Sequence, residues 1–150
     1  MNNFQLSTHF SLDEFTQSST AVRLCIPNVP SVAMVGTLTN TALKMELVRH
    51  LLGENAINVD SAYRSPALNM AIHGATNSAH TFGYAVDFTC PAYGTPAAIV
   101  AKLLEQGIKF DQLILEGTWV HISFDPRMRQ QVLEAHFGAA GTTYIPYTSY

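Results

Sequence analysis

Two histidines and an aspartate have the residue types and order of a metal site. His80 and Asp87 lie in the segment SAHTFGYAVDF, and His121 lies in WVHISF. Fully extended, the chain between His80 and Asp87 would span about 23 Å, so these residues share an ion only if the chain folds back. Gly83 can supply that turn. Catalytic zinc sites commonly have three protein ligands and an open fourth position. The sequence therefore predicts one Zn²⁺ per chain, and a closed structural site is the weaker alternative because the set contains no cysteine.

A β-hairpin is predicted around His121. Two strand-like segments, 111–116 and 119–124, are joined by Gly117 and Thr118. A two-residue loop with glycine first suits a type II′ turn. That turn fixes a register in which Ile114 pairs with His121.

The two faces of this hairpin differ in chemistry, because side chains alternate along a strand. The apolar face carries Leu113, Leu115, Val120, Ile122 and Phe124. The other face carries Gln112, Ile114, Glu116, Trp119, His121 and Ser123. A purely structural hairpin needs no histidine and carboxylate on one face, so Glu116 is a candidate general base. His121 alone would equally fit a half-buried, hydrogen-bonded histidine.

An arginine upstream is a candidate for binding substrate. Arg64 lies in DSAYRSP, at the end of a predicted strand and before a predicted helix. There a guanidinium can donate two hydrogen bonds to a carboxylate or to a polarised carbonyl. The alternative is an ordinary surface salt bridge.

The order of predicted elements gives the fold class. A capping box (Ser11 to Glu14) starts a short helix, and apolar residues at helical spacing predict a long helix over 31–52. These residues are Val35, Leu38, Leu43, Leu47 and Leu51. Strands follow at 56–60 and 84–89, and helices at 65–73, 97–106 and 126–137; residues 138–150 are predicted to be an irregular tail. This order predicts one α+β domain over 1–150, with a small central antiparallel sheet and helices packed around it.

Composition limits the possible partners. The 150 residues carry a formal net charge of −3 and no basic run, so a nucleic-acid partner is not expected. No apolar run is long enough to span a membrane, and the amino terminus lacks the features of a signal peptide. We expect a monomer made in the cytoplasm and not bound to a membrane. Cys25 and Cys90 are either a disulfide or two free thiols, and buried free cysteine is the favoured interpretation.

Three segments in this order resemble one enzyme family. SAYRSPALN, NSAHTFGYAVDF and DQLILEGTWVHISF are similar to the zinc D-alanyl-D-alanine carboxypeptidases, a family that includes phage endolysins cutting the L-alanyl-D-glutamate bond. The opening LSTHFSLDEF also resembles its small, phage-borne members. The similarity covers about residues 6–124.

The resemblance implies a fold, a site and a substrate. The fold would be that of the hedgehog and D-Ala-D-Ala peptidases, and the partner a peptidoglycan peptide. Zinc would lie on His80, Asp87 and His121, and a metal-activated water would hydrolyse a peptide bond in the stem peptide or cross-link. Residues at the substrate would be Arg64, Tyr63, Ser78 and Trp119, with Ser78 supporting the ligands. A phage-type member would act on the cell wall after its release from the cell.

The chain departs from the family at one position. Many members have Glu or His three residues before the last histidine, where this chain has Thr118. Glu116 is the predicted base, with Asp111 and Asp125 as alternatives. A catalytically silent, metal-containing wall-binding or structural relative is the competing interpretation. The remaining histidines are expected on the surface or in the core: His9, His50, His73 and His136.

Overall fold

The computed structural model describes residues 3–149; positions 1, 2 and 150 of the predicted domain lie outside this range. Within it the helices are α1 (Leu12–Thr16), α2 (Ser19–Leu24), α3 (Val32–Leu51), α4 (Pro66–Ala71) and α5 (Pro96–Glu105). The strands are β1 (Asn58–Ser61), β2 (Ala85–Thr89), β3 (Gln112–Glu116), β4 (Trp119–Ser123), β5 (Gln131–Gly138) and β6 (Gly141–Pro146). Contacts divide the chain into two compact units, Met1–Leu47 with Val59–Val86, and Val48–Asn58 with Asp87–Tyr150.

The α+β class is confirmed, but the sheet is mixed rather than antiparallel. Its six described strands have the order β1-β2-β4-β3-β5-β6. β3 pairs antiparallel with β4 and parallel with β5. The parallel pair arises because the chain returns after β4 to the start of β3, where the amide of Gln131 donates to the carbonyl oxygen of Asp111.

Helix α3 has the predicted bounds to within one residue, but a different buried face. Leu38, Ala42 and Met45 are fully buried, whereas Leu43 and Leu47 are about half exposed. The sequence carries two apolar stripes on this helix, and the predicted stripe combined residues of both. Helical spacing alone does not decide which stripe packs inward, because tertiary contacts make that choice.

The β3–β4 hairpin has the predicted register, with Ile114 opposite His121 and Glu116 opposite Trp119. Gly117 has a φ of 66°, which a residue without a Cβ adopts at little cost. Thr118 does not share that positive φ. A positive φ at the first turn residue alone is what a type II′ turn requires.

The carboxyl-terminal prediction is wrong. No helix forms over 126–137; instead β5 occupies most of that segment. The predicted irregular tail contains β6, which pairs antiparallel with β5 from Leu133–Pro146 to Gly138–Gly141. The segment has good helix formers in MRQQVLEAHF, but pairing with β3 overrides their weak propensity.

Neither cysteine of the described chain forms a disulfide. Cys90 is buried, as expected, whereas Cys25 is exposed. Among residues 3–149 no helix combines the length and the apolar character needed to cross a membrane.

Candidate metal centre

The loop before β2 folds the chain back at Gly83, as predicted. Its φ is 74°, and its amide donates to the carbonyl oxygen of His80 at 3.3 Å. The hydroxyl of Thr41 on α3 donates to the carbonyl oxygen of Gly83 at 2.7 Å. A Cβ at Gly83 would lie 2.7 Å from the sulfur of Met34. Glycine is therefore required both for the turn and for the close approach to α3.

His80 is held in one tautomer by the backbone. The residue is 3% exposed, and its Nδ1 lies 2.7 Å from the carbonyl oxygen of Ala62. A carbonyl oxygen only accepts, so Nδ1 carries the hydrogen. The lone pair of the neutral ring is then on Nε2, which is the arrangement that metal-binding histidines usually have.

Asp87 and His121 lie on the neighbouring strands β2 and β4. Nδ1 of His121 is 2.8 Å from Oδ1 of Asp87, and both residues are buried. Burial of a carboxylate is costly unless a partner or an ion offsets its charge. The pair therefore has the burial and the donor types of a metal site.

His80, Asp87 and His121 form a group that could hold a metal ion. One donor atom from each lies within 4.8 Å of the others, and all three residues are buried. Two imidazoles and one carboxylate suit Zn²⁺, and three protein ligands leave a coordination position open. Glu116 is not among these three residues.

Arg64 and Tyr63 follow β1 and are fixed by the backbone. The amide of Arg64 donates to the carbonyl oxygen of His80 at 3.2 Å, and its Nε donates to the hydroxyl of Ser61 at 3.0 Å. The side chain of Arg64 therefore starts next to the His80 loop. Tyr63 is only 7% exposed, which leaves little of its ring for a ligand.

Ser78 shapes the loop around His80. Its hydroxyl accepts from the amide of His80 at 3.4 Å, and its carbonyl oxygen accepts from the hydroxyl of Thr81 at 2.7 Å. Among the described contacts it supports the backbone of a predicted ligand rather than the imidazole ring.

Glu116 and Trp119 face each other at the end of the hairpin. Both are half-buried, and the register places them on the face of His121. A diagonal neighbour on an antiparallel pair lies about 7–8 Å away, within reach of a long side chain. Nε1 of Trp119 is buried and has no hydrogen-bond partner among the described residues.

The two alternative bases have arginine partners. Nε and Nη2 of Arg129 donate to the carboxylate of the fully buried Asp111 at 2.9 and 2.7 Å. These hydrogen bonds hold the pKa of Asp111 below its usual value. Hydrogen bonds from Arg127 likewise lower the pKa of Asp125. A carboxylate with a lowered pKa is a weaker base, so Asp111 and Asp125 are both poor candidates for the general base.

The other histidines lie away from this group. His9, His50 and His136 are exposed and lie near the carboxylates of Glu46, Glu54 and Glu134, respectively. His73 is exposed and has a positive φ. All four lie on the surface, which is one of the two locations expected for them.

Two contributors to this centre were not predicted from the sequence. One is the Ala62 carbonyl, a backbone atom whose role depends on where His80 packs. The other is Thr41, one turn from Leu38 on the buried side of α3. A threonine on an otherwise apolar helix face is the pattern that could have indicated it.

An α+β chain with a buried His–Asp–His group has the features of a metal-dependent hydrolase. The family model described as Peptidase M15 matches residues 8–123. The chain therefore belongs to the peptidase M15 family.

A curated relative agrees with this assignment. The chain is 35% identical over 54 residues to the zinc D-Ala-D-Ala carboxypeptidase of Streptomyces albus G, an alignment that covers 36% of this chain. The match spans 21% of the length of that relative. The family and the donor set together support Zn²⁺ as the cofactor.

Proposed function

We propose that this chain is a zinc-dependent peptidase that hydrolyses a peptide bond in the stem peptide or cross-link of peptidoglycan. The observation that carries the proposal is the buried group of His80, Asp87 and His121 in a chain of the peptidase M15 family. The relative named a zinc D-Ala-D-Ala carboxypeptidase supports both the metal and the class of substrate.

The three grouped residues would hold the metal. His80 would bind through Nε2, because Nδ1 donates to the Ala62 carbonyl. Zn²⁺ held by these residues would lower the pKa of water to about 7 and would polarise a carbonyl group. Asp87 and His121 would supply the remaining ligand atoms, and the carboxylate of Asp87 would offset one of the two positive charges of the ion.

Glu116 is the proposed general base. Its carboxylate takes a proton from the attacking water and later gives it to the leaving amine. Its position supports this role, since it lies on the His121 face but outside the group of three donors. One carboxylate can then serve both proton transfers.

Arg64 is the proposed oxyanion partner. Its backbone is bonded to the His80 loop, and its Nε is oriented by Ser61. A guanidinium oriented in this way can donate to the substrate carbonyl as negative charge develops on its oxygen. Ser78 and Trp119 complete the proposed substrate site, Ser78 through the His80 loop and Trp119 through its position beside Glu116. Tyr63 would contribute only the small part of its side chain that is exposed.

Mass analysis of purified peptidoglycan after incubation with the zinc-loaded chain tests this function. We expect fragments with new amino and carboxyl termini and no new reducing ends, because the bond cut is a peptide bond. Glu116→Gln, with its zinc retained, is the matched control and should release few fragments. New reducing ends, or no fragments from the wild-type chain, would contradict the proposal.

Thr118 supports a second candidate, a catalytically silent wall-binding or structural relative. At this position many members of the family have an acidic residue or a histidine. A silent relative would hold zinc and sediment with peptidoglycan but release no fragments. The same mass analysis therefore separates the two candidates.

We further propose that residues 1–150 act as one peptidase domain and as a monomer, in the setting of a phage-type cell-wall lysin. The resemblance of the opening segment to small phage-borne members supports this setting. The chain would reach the wall after release from the cell. Size-exclusion chromatography with light scattering tests the monomer.

A further inference from the structure

The β5–β6 hairpin continues the sheet face that carries His121. Paired residues point to the same side of a sheet, and Leu133 pairs with Ile114, which pairs with His121. Alternation along β5 then places Ala135 and Phe137 on that face. Tyr144 on β6 pairs with Ala135 and therefore lies on the same face of the sheet.

Three aromatic side chains form a surface here, the aromatic ledge of Trp119, Phe137 and Tyr144. The rings of Trp119 and Phe137 have centroids 6.0 Å apart. A Cβ at Gly117 would lie 3.3 Å from the ring of Phe137, so this ring also packs against the hairpin turn. Phe137 is nevertheless 58% exposed and Tyr144 51% exposed. The ring of Phe137 is thus held by two contacts while most of it faces solvent.

This face of β5 and β6 carries no charged side chain. Its residues are Gln131, Leu133, Ala135, Phe137, Thr142, Tyr144 and Pro146. The charged Glu134 and its neighbour His136 point to the opposite face. A segment of stem peptide with free carboxylates would find no cation here. A neutral ligand with an apolar face and hydroxyl groups matches aromatic rings flanked by hydroxyls and an amide.

We propose that the aromatic ledge binds a sugar ring of the peptidoglycan glycan strand. This inference rests on the proposed function and extends it, since it assigns part of the substrate site to the saccharide next to the peptide being cut. The C–H face of a pyranose would lie on Phe137, and its hydroxyl groups would meet Tyr144 and Thr142. The β5–β6 hairpin lies beyond the residues that the family model matches, 8–123. The family match therefore does not itself imply the sugar contact.

Two soluble substrates that differ only in the sugar test the ledge. One is a disaccharide-peptide released from peptidoglycan by a muramidase, and the other is the same peptide freed from its sugar by an amidase. Phe137→Ala should lower kcat/KM for the disaccharide-peptide more than for the free peptide, by an additional factor of about 2–12, mainly through KM. Phe137→Leu keeps apolar volume for folding but lacks the ring, and should show the same selective loss.

Ile145→Ala is the matched control. Ile145 is 44% exposed on the same hairpin but points to the opposite face. The ratio of kcat/KM for the two substrates should therefore stay at the wild-type value. Equal losses on both substrates in the Phe137 variants, or no loss, would overturn the sugar contact.

A failure of the proposed function looks different, because the wild-type chain would then cut neither substrate. In that case co-sedimentation with purified peptidoglycan tests the ledge on its own. Phe137→Leu should sediment less than wild type and Ile145→Ala as much as wild type. Equal sedimentation of all three would overturn the proposal.

Discussion

The two histidines of the candidate metal centre have different neighbours at Nδ1. Nδ1 of His80 is bonded to a backbone carbonyl, so only Nε2 can face an ion. Nδ1 of His121 lies 2.8 Å from Oδ1 of Asp87, so these two atoms could be neighbouring ligands of one metal ion. At the residue scale, zinc content is therefore the property that depends most directly on these side chains.

His80→Ala and His121→Ala should each lower zinc from about one equivalent per chain to near zero, because two remaining donors hold the ion weakly. Elemental analysis of protein purified without added metal measures this. His50→Ala is the control, since His50 is exposed and lies against Glu54. Full zinc in both site variants would show that the ligands are wrongly assigned.

Glu116→Gln should lower peptidoglycan cleavage by about 10²–10⁴-fold, the usual contribution of a general acid–base group. Zinc content and fold should persist, because Glu116 is not in the group of donors. Asp125→Asn is the control and should keep most activity, since Asp125 is held by Arg127. Near-normal cleavage by Glu116→Gln with an inactive Asp125→Asn would place the base elsewhere.

Arg64→Lys keeps a positive charge but loses the two-pronged donor geometry. Activity should fall well below wild type while the melting temperature changes little, because binding and transition-state charge are its proposed tasks. Assays alongside thermal unfolding separate these effects. A large loss of stability with normal turnover would support the alternative of a structural salt bridge.

At the scale of elements, the start of β3 and the approach to β5 are joined through Asp111 and Arg129. Three donors of Arg129, including its amide, bond the buried carboxylate. The amide of Gln131 then donates to the carbonyl oxygen of Asp111 and begins the parallel pairing. This contact fixes where β5 meets the sheet.

Asp111→Asn should lower the free energy of unfolding at pH 7 by about 1.5–3 kcal/mol, the range for hydrogen bonds to charged groups. The folded-state pKa of Asp111 is lowered, so its stabilisation is present above the unfolded value near 3.8 and is lost as pH falls through the folded value. In urea unfolding, the free energies of unfolding of wild type and variant should therefore differ strongly at pH 7 and less at about pH 3. A difference in the free energy of unfolding that does not change with pH would contradict the role of the Asp111 charge.

Local patterns predicted some elements and not others. The β3–β4 register follows from a two-residue turn and from alternation, both of which lie within a short stretch of sequence. β5 depends on β3, a partner distant in sequence, so its helix-like composition was misleading. For β6 a signal was present, because Thr142, Thr143, Tyr144 and Ile145 are good strand formers that follow two glycines.

The candidate site was predictable in its residue types but not in its supports. The spacing of His80, Asp87 and Gly83 requires a turn, and the hairpin places Glu116 with His121, so these residues could be found from the sequence. The Ala62 carbonyl, the Thr41 hydroxyl and the place of Phe137 depend on tertiary packing. Apart from the threonine on the apolar face of α3, no local sequence pattern indicated these contacts.

At the scale of the whole molecule, the region that matches the peptidase M15 family contains every residue of the proposed chemistry, from Arg64 to His121. The β5–β6 hairpin follows that region and extends the same sheet. The proposed catalysis thus lies in the matched region, and part of the proposed substrate binding lies in the hairpin.

The central claim is that one zinc ion in the His80–Asp87–His121 group makes this chain a peptidase. Its most direct test is a titration in which a chelator removes zinc from the purified chain and zinc is then returned, with metal content and peptide-bond cleavage measured on the same samples. We predict that cleavage of peptidoglycan falls in proportion to zinc and returns with about one equivalent per chain. Full cleavage by the metal-free chain, or zinc-loaded chain that cuts no peptide bond, would contradict the account.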